Sequence, residues 1–340
     1  METNTHILDT LSRPIRDLRI SVTDRCNFRC TYCMPKEVFN SDYKFLRRDD
    51  LLSFEEITRI SSVFVQLGVK KIRLTGGEPL LRKKLPVLIE QLANVNGIED
   101  ISLTTNGVLL TKEVAQQLKD AGLKRITISL DALDDETFKA ISDVKFGVEK
   151  VLKAIEVALA ADLLPVKINM VVKRGDNEHS IIPMAKHFHD SGIILRLIEF
   201  MDVGSTNHWQ MDDVFTAKEI VEVINQELPI EPAEANYHGE VAKRWQYKDG
   251  GGEIGIISSV TQPFCQSCTR ARLSAEGKLY TCLFATQGKD LRHLIREGAN
   301  DEHISDVVSA IWKKRTDRYS EQRTSESVLL PKVEMSYIGG

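Results

Sequence analysis

The chain has 340 residues, of which 42% are hydrophobic and 28% charged, and its formal net charge is −4. These values are typical of a globular protein with one large core and room for a smaller second unit. The slightly negative charge argues against a general nucleic-acid or membrane binder, so an anionic substrate would need locally clustered cations. No apolar run approaches the roughly 18 residues of a membrane span, and the polar first residues do not predict a secretory signal. We therefore expect a cytoplasmic protein whose thiols stay reduced.

Six β-like segments alternate with amphipathic helical segments over the first 200 residues. The predicted strands are 18–22, 70–75, 100–104, 125–129, 165–172 and 193–199. The predicted helices are 54–67, 84–93, 112–121, 148–160 and 181–190. This alternation predicts parallel strands with right-handed crossovers. We therefore predict an α/β fold built on an incomplete (β/α)6 TIM-type barrel.

Polar side chains occupy alternate positions of several predicted strands. Arg19, Arg73 and Lys167 share these polar faces, and apolar residues occupy the opposite faces. A closed barrel fills its interior with branched apolar side chains, so a polar interior indicates an open barrel that binds a polar ligand. The alternative is a sheet with one face in water.

The pattern changes after Gly204. A helix is predicted at 217–226, a hairpin at 241–247 and 253–257, short strands at 272–274 and 278–281, and helices at 291–297 and 303–315. We expect a barrel domain at 1–228, a smaller α+β domain at 229–330 that closes the open side, and a tail at 331–340 that ends in Gly339-Gly340.

The six cysteines form two groups of three. Cys26, Cys30 and Cys33 have the spacing Cys-x3-Cys-x2-Cys, and the other group is Cys265, Cys268 and Cys282. Three thiolates can hold a [4Fe–4S] cubane and leave one iron open. A structural zinc knot is the weaker alternative for the first group, because structural zinc usually takes four ligands. For the second group, spacing alone favours a zinc site completed by a histidine such as His238 nearly as much as it favours a cluster.

The first spacing is the signature of the radical S-adenosylmethionine (SAM) enzymes. The sequences Arg-Pro-Ile-Arg-Asp-Leu-Arg at 13–19, Met-Pro at 34–35 and Phe-Cys-Gln-Ser-Cys-Thr-Arg-Ala-Arg-Leu at 264–273 resemble those of the GTP 3′,8-cyclases. These enzymes begin molybdenum cofactor biosynthesis. Thr-Gly-Gly-Glu-Pro at 75–79 resembles the radical SAM motif that meets the SAM amino group. The carboxylate of Glu78 is a suitable acceptor for such an ammonium group.

The resemblance implies a specific set of cofactors and ligands. It implies two [4Fe–4S] clusters and S-adenosylmethionine, with GTP bound through guanine to the second cluster. The implied SAM contacts are Tyr32, Gly77, Glu78, Ser129 and Met201. The expected GTP contacts are Arg19, Arg73, Thr104, Lys167, Arg270, Ala271 and Arg272, and of these Arg19, Arg270 and Arg272 are expected to be catalytic. The implied lyase-type reaction begins when a 5′-deoxyadenosyl radical takes the 3′ hydrogen of GTP.

Further expectations rest on the resemblance alone. They are a homodimer, cyclic pyranopterin monophosphate synthase as the next pathway enzyme, and a terminal Gly-Gly that enters the cavity. The alternatives are another radical SAM enzyme with an auxiliary cluster, or a zinc-stabilised binding protein. Asn106-Gly107 is interpreted as a plain turn and Asp131-Ala132 as the start of a helix, neither with a catalytic role.

Overall fold

A computed structural model describes residues 7–328 and 330–339. Gly340, the last residue of the predicted tail, lies outside the described residues. Among those described, none of the helices combines the length and apolar character needed to span a bilayer.

The strands of the first half match the predicted ones to within two residues at each end. They are β1 (Asp17–Ser21), β2 (Lys71–Thr75), β3 (Asp100–Thr105), β4 (Arg125–Ser129), β5 (Lys167–Val172) and β6 (Ile194–Glu199). The second half adds β7 (Ile230–Ala233), β8 (Lys243–Tyr247), β9 (Glu253–Ile257), β10 (Arg270–Leu273), β11 (Lys278–Tyr280) and β12 (Lys289–Asp290).

The helices are α1 (Phe54–Gln66), α2 (Leu85–Ala93), α3 (Lys112–Asp120), α4 (Asp135–Ser142), α5 (Glu149–Ala160), α6 (Ile181–Phe188), α7 (Ala217–Glu227), α8 (Leu291–Arg296), α9 (Asp301–Lys313), α10 (Ser325–Val328) and α11 (Met335–Ile338). Helices α1 to α6 alternate with the strands of the first half, and α7 to α11 belong to the second half. Helix α1 begins with a capping box, in which the Ser53 hydroxyl accepts from the Glu56 amide and the Glu56 carboxylate accepts from the Ser53 amide.

All twelve strands belong to one sheet in the order β12-β11-β10-β1-β2-β3-β4-β5-β6-β9-β8-β7. Strands β1 to β6 are parallel, as predicted. The C-terminal strands extend both edges of this sheet, because β10 pairs with β1 and β9 pairs with β6, each in parallel. The second half therefore continues the barrel sheet at both ends, although sequence analysis treated it as a separate unit.

The predicted alternation of apolar and polar faces is confirmed in the barrel. Leu18 and Ile20 of β1 are fully buried in the core against the helices, whereas Arg19 between them lines a central cavity. The core also includes Ile254 of β9 and Leu273 of β10. One hydrophobic core thus joins the two halves of the sequence.

Candidate active site

A cavity of about 300 Å³ lies on the polar side of the sheet, and all six cysteines line it. Eleven of the twelve other predicted site residues line the same cavity: Arg19, Tyr32, Arg73, Gly77, Glu78, Thr104, Ser129, Lys167, Met201, Arg270 and Arg272. The exception is Ala271, whose methyl group is buried in the hydrophobic core. The predicted GTP contact at Ala271 is therefore the one that the cavity does not include.

The loop that carries the first three cysteines is held by the Gly-Gly-Glu segment. The Gly77 amide donates to the Thr23 carbonyl and the Glu78 amide donates to the Arg25 carbonyl, both at 2.8 Å. A methyl group on Gly77 would overlap the Arg25 carbonyl. The glycines therefore allow this segment to approach the cysteine loop closely.

Glu78 is almost fully buried at the centre of this loop. Its carboxylate accepts from the Thr105 hydroxyl at 2.7 Å, the Asn106 amide at 2.7 Å and the Leu80 amide at 2.9 Å. Burial raises the pKa of the carboxyl to about 6, although these hydrogen bonds act to lower it. Oxygen Oε2 accepts one of the three bonds and keeps an acceptor position for the ammonium group that sequence analysis assigned to it.

Two polar residues without a predicted catalytic role also line the cavity: Asn106, interpreted as part of a plain turn, and Asp131, interpreted as the start of a helix. The Tyr32 hydroxyl donates to Asp131 Oδ2 at 2.8 Å, and the Val171 amide donates to Asp131 Oδ1 at 2.8 Å. Burial raises the pKa of the Asp131 carboxyl to about 6. The Asn106 side chain donates to Asn27 beside Cys26 at 2.8 Å. Both residues follow the carboxyl ends of parallel strands, where ligand-binding side chains concentrate, and this position could have identified them.

Cations stand side by side on neighbouring strands. The register pairs Arg19 of β1 with Arg272 of β10 on one side and with Arg73 of β2 on the other. Two more lining cations, Arg125 and Arg196, were missed by sequence analysis. Arg125 shares the strand parity of the lumen residue Ser129, so the alternation rule would have found it.

This crowding lowers the basicity of the lumen cations. Burial, followed by the charges of Arg196 and Arg125, lowers the pKa of Lys167 to about 8. Burial and the neighbouring arginines likewise lower the pKa of Arg196 and of Arg272 to about 9 and that of Arg19 well below its usual value. Apart from Arg125, which pairs with Asp100, these cations form no ion pair among the described residues, and like charges packed together in this way favour binding of a polyanion.

The two cysteine groups differ in their electrostatic surroundings. Burial, with a further contribution from Glu78, raises the pKa of Cys26 to about 11. For Cys268, burial opposes ionisation, but the charges of Arg270 and Arg315 outweigh it and lower the pKa to about 6. Both guanidinium groups donate to the Cys268 sulfur at 3.2 Å.

The two donor sets are of the kind that iron–sulfur clusters take. Each group supplies three free thiols that line the cavity, and a cubane takes thiolate ligands on separate irons. In the part of the chain that the structure describes, no three Cys, His, Asp or Glu side chains are placed to hold one metal ion together. His238, which the zinc alternative requires, is not among the residues that line the cavity.

The C-terminal tail enters the same cavity. Met335 and Ser336 line it, and the Gly339 carbonyl accepts a hydrogen bond from Arg272. Gly339 has φ +76°, and a methyl group there would overlap the Thr75 side chain. The expectation for the tail is therefore met by Gly339, and its other residue, Gly340, lies outside the described residues.

Comparison with known proteins gives matches along almost the whole chain. Residues 20–188 match the Radical SAM superfamily and residues 193–321 match Molybdenum Cofactor Synthesis C. GTP 3′,8-cyclase of Staphylococcus saprophyticus is 51% identical over 98% of this chain and 99% of its own length. That of Staphylococcus aureus strain Mu3 is 52% identical over the same shares.

The fold is shared with a more distant protein of known structure. Streptococcus suis SuiB, solved with S-adenosylmethionine bound, superposes with a TM-score of 0.62 at 14% identity, over 93% of this chain and 72% of that one. The barrel, the cysteine loop and these matches define a radical SAM enzyme. Within that class, the chain belongs to the GTP 3′,8-cyclase family. Its cofactors are accordingly iron–sulfur clusters and SAM, and the zinc-stabilised binding protein is set aside.

Proposed function

We propose that this chain converts GTP to (8S)-3′,8-cyclo-7,8-dihydroguanosine 5′-triphosphate for molybdenum cofactor biosynthesis. The observation that carries the proposal is that both cysteine groups line one cavity together with the row of lumen cations. The relatives at 51% and 52% identity bear the name of this activity. The cavity is therefore the place where SAM and GTP would meet.

We assign the first three cysteines to one [4Fe–4S] cluster and the residues around them to SAM. When bound, this cluster and SAM supply the organic radical that removes the 3′ hydrogen of GTP. Tyr32, Gly77, Ser129 and Met201 line the cavity as SAM contacts, and Glu78 fixes the loop and accepts the ammonium group. The chain itself contributes position and exclusion of water.

The triphosphate is assigned to the lumen cations. Arg19, Arg73 and Lys167, with Thr104 beside them, present donors from adjacent strands, and the structure adds Arg125 and Arg196 to this set. A guanidinium meets two phosphate oxygens at once, so a row of arginines suits a chain of phosphates. The Thr104 hydroxyl is buried and makes no hydrogen bond to any residue that the structure describes, which suits a donor to a ligand.

The second cysteine group and the arginines beside it are assigned to the guanine end of GTP. Cys265, Cys268 and Cys282 would hold the second [4Fe–4S] cluster. Arg270 and Arg272 line the cavity next to it, with the Ala271 backbone between them, and Gly339 is hydrogen-bonded to Arg272. The tail closes this end, and its burial would keep water and stray hydrogen donors from the reacting atoms.

The finer expectations on partners belong to the same proposal. A homodimer and use of the product by cyclic pyranopterin monophosphate synthase fit the proposed activity. A cytoplasmic location remains the sequence-based expectation, because unpaired thiols persist in a reducing compartment.

Anaerobic reconstitution followed by a GTP assay tests the function. We expect about eight irons per chain, four for each cubane, and formation of the cyclised nucleotide from GTP and SAM with a chemical reductant. Cys282→Ala should lose about half of the iron and the cyclised product, because it removes a ligand of the second cluster only. SAM cleavage with a full iron content but no conversion of GTP would instead favour another radical SAM enzyme with an auxiliary cluster.

A further inference from the structure

A buried charged cluster lies behind the second cysteine group, and no part of it has a role in the proposed function. At its centre Arg315, just beyond α9, donates from Nη2 to the Cys268 sulfur at 3.2 Å and from Nη1 to the Cys268 carbonyl at 2.7 Å. Its side chain is 1% exposed. This guanidinium contacts one cysteine sulfur directly, and its Nε lies 3.2 Å from Asp317 Oδ2 on the other side.

The N-terminal segment fixes this guanidinium from the other side. Asp9 Oδ2 lies 3.4 Å from Arg315 Nη1, and the same carboxylate accepts from Arg13 Nε at 2.6 Å. Arg13 donates in turn to the Cys265 carbonyl at 2.6 Å. The Trp312 ring stacks under Arg315 at 4.6 Å, and its indole N–H donates to the Arg13 carbonyl at 3.0 Å. Arg315 therefore has one well-defined orientation.

At the first cysteine group, no guanidinium among the described residues is hydrogen-bonded to a sulfur. Arg29 donates to the Cys26 carbonyl at 2.8 Å, but the Cys26 sulfur receives a backbone N–H from Phe28 at 3.4 Å and lies 3.9 Å from the Asn106 amide, both neutral donors. The carboxylates of Glu78 and Asp131 line the cavity on that side. Reduction adds negative charge to a cluster, and hydrogen bonds and positive charge at its sulfurs favour the reduced form.

We propose that Arg315 is a positioning residue of the second cluster, which fixes the Cys268 thiolate and makes this cluster easier to reduce than the first. The Asp9–Arg13 pair holds Arg315 in place for this role. The inference rests on the proposed function, since it requires a cluster on Cys265, Cys268 and Cys282. Arg315 also lines the cavity, but its guanidinium is already engaged by Cys268, Asp9 and Asp317, so its effect is on the cluster and not on the triphosphate.

The test measures the second cluster alone. In a background of Cys26→Ala, Cys30→Ala and Cys33→Ala, the protein is reconstituted anaerobically, its iron is counted, and its midpoint potential is measured by a redox titration followed by electron paramagnetic resonance. Arg315→Gln should lower the ratio of reduced to oxidised cluster at a fixed potential about tenfold, a shift of about 59 mV for one electron. Arg315→Lys should give a smaller shift in the same direction, because one ammonium cannot serve both Cys268 acceptors.

A matched control separates this effect from the loss of any ion-paired arginine. Arg296 of α8 pairs with Glu56 at 2.8 Å, and neither residue lines the cavity, so Arg296→Gln should leave the potential unchanged. An unchanged potential in Arg315→Gln with full iron overturns the inference alone. If Arg315→Gln does not fold, an unchanged potential in Arg315→Lys overturns it. A background protein that takes up no iron overturns the proposed function and this inference with it.

Discussion

At the scale of single residues, Lys167 makes GTP binding depend on pH. Burial and the charges of Arg196 and Arg125 lower its pKa to about 8 in the free protein, and a bound triphosphate favours the charged form. Affinity is therefore full below pH 8 and falls as pH rises through it. We expect the GTP dissociation constant to be about fourfold higher at pH 8.5 than at pH 7, as linkage of one proton requires.

Titration calorimetry on wild type and two variants at Lys167 checks this prediction. Lys167→Arg keeps a charge over the whole range, so its affinity should be flat with pH and close to the wild-type value at pH 7. Lys167→Met should also be flat, but weaker throughout, because one phosphate partner is gone. A wild-type dissociation constant that does not change between pH 7 and 8.5 would contradict the assignment of Lys167 to the triphosphate.

Gly339 carries a second prediction at the same scale. Its φ of +76° and its contact with Thr75 leave no room for a methyl group. Gly339→Ala should displace the tail from Arg272 and lower the rate of GTP conversion at least about tenfold, while iron content stays at the wild-type value. Gly298→Ala is the matched control, because Gly298 has φ +87° but open space around it. Equal turnover in Gly339→Ala and wild type would show that the tail is dispensable.

At the scale of elements, alternation and spacing predicted most of the first half. The lumen positions of Arg19, Arg73 and Lys167 followed from strand parity alone. For helix α4 (Asp135–Ser142), sequence analysis gave only a start at Asp131-Ala132 and no bounds, whereas the helix begins after Asp134, which caps it by accepting from the Thr137 amide at 2.8 Å. The segment is only eight residues long and mixes polar with apolar positions, so its amphipathic signal is short.

Contacts between distant parts of the sequence could not be predicted in this way. The pairing of Arg19 with Arg272 joins positions more than 250 residues apart, and nothing in either local pattern specifies that register. Arg315 shows the same limit, because in the sequence it is one basic residue after a helix and its contact with Cys268 appears only in the fold. Sequence patterns give the face of a side chain but not its partner across the molecule.

The tail segment is held by a buried ion cluster, which gives a prediction for an element. Asp202 is 2% exposed, accepts from Arg323 at 3.0 Å and Lys332 at 3.1 Å, and is also hydrogen-bonded to Tyr319. Asp202→Asn removes the charge that compensates two buried cations, which costs about 3–5 kcal/mol when such a pair is broken. We expect trypsin to cut after Lys332 at least about tenfold faster than in wild type.

An exposed pair is the appropriate comparison for Asp202. Lys153 and Glu156 form an ion pair in which both side chains are about two-thirds exposed, so Glu156→Gln should change unfolding free energy by less than about 0.5 kcal/mol. Comparing the two variants separates the effect of losing any carboxylate charge from the effect of losing the buried ion cluster at Asp202. If Asp202→Asn and Glu156→Gln are digested at the same rate, the tail is held by other contacts.

At the scale of the whole molecule, the two halves depend on each other. Strands β9 and β10 cover the two outer edges of the barrel strands, at β6 and β1. Glu199 at the end of β6 adds a fixed joint, because its fully buried carboxylate accepts from the amides of Ala217 at 2.8 Å, Val260 at 2.8 Å and Thr261 at 2.9 Å. The boundary expected near residue 228 therefore divides the sequence between α7 and β7 but does not divide the sheet.

Because the two halves share one sheet and one core, we expect residues 1–228 not to fold stably without the rest of the chain. Residues 1–228 alone would expose both sheet edges and lose Ile254, Ile256, Ala271 and Leu273 from the shared core. Unpaired parallel edges and an incomplete core favour aggregation or a loosely packed state. We expect this fragment to lack the near-ultraviolet circular dichroism of the full chain and to unfold without a cooperative transition in urea, whereas the full chain should unfold in one transition. A soluble fragment with a native-like spectrum and a sharp transition would show that the barrel is an autonomous domain, and that the C-terminal strands join it only after it has folded.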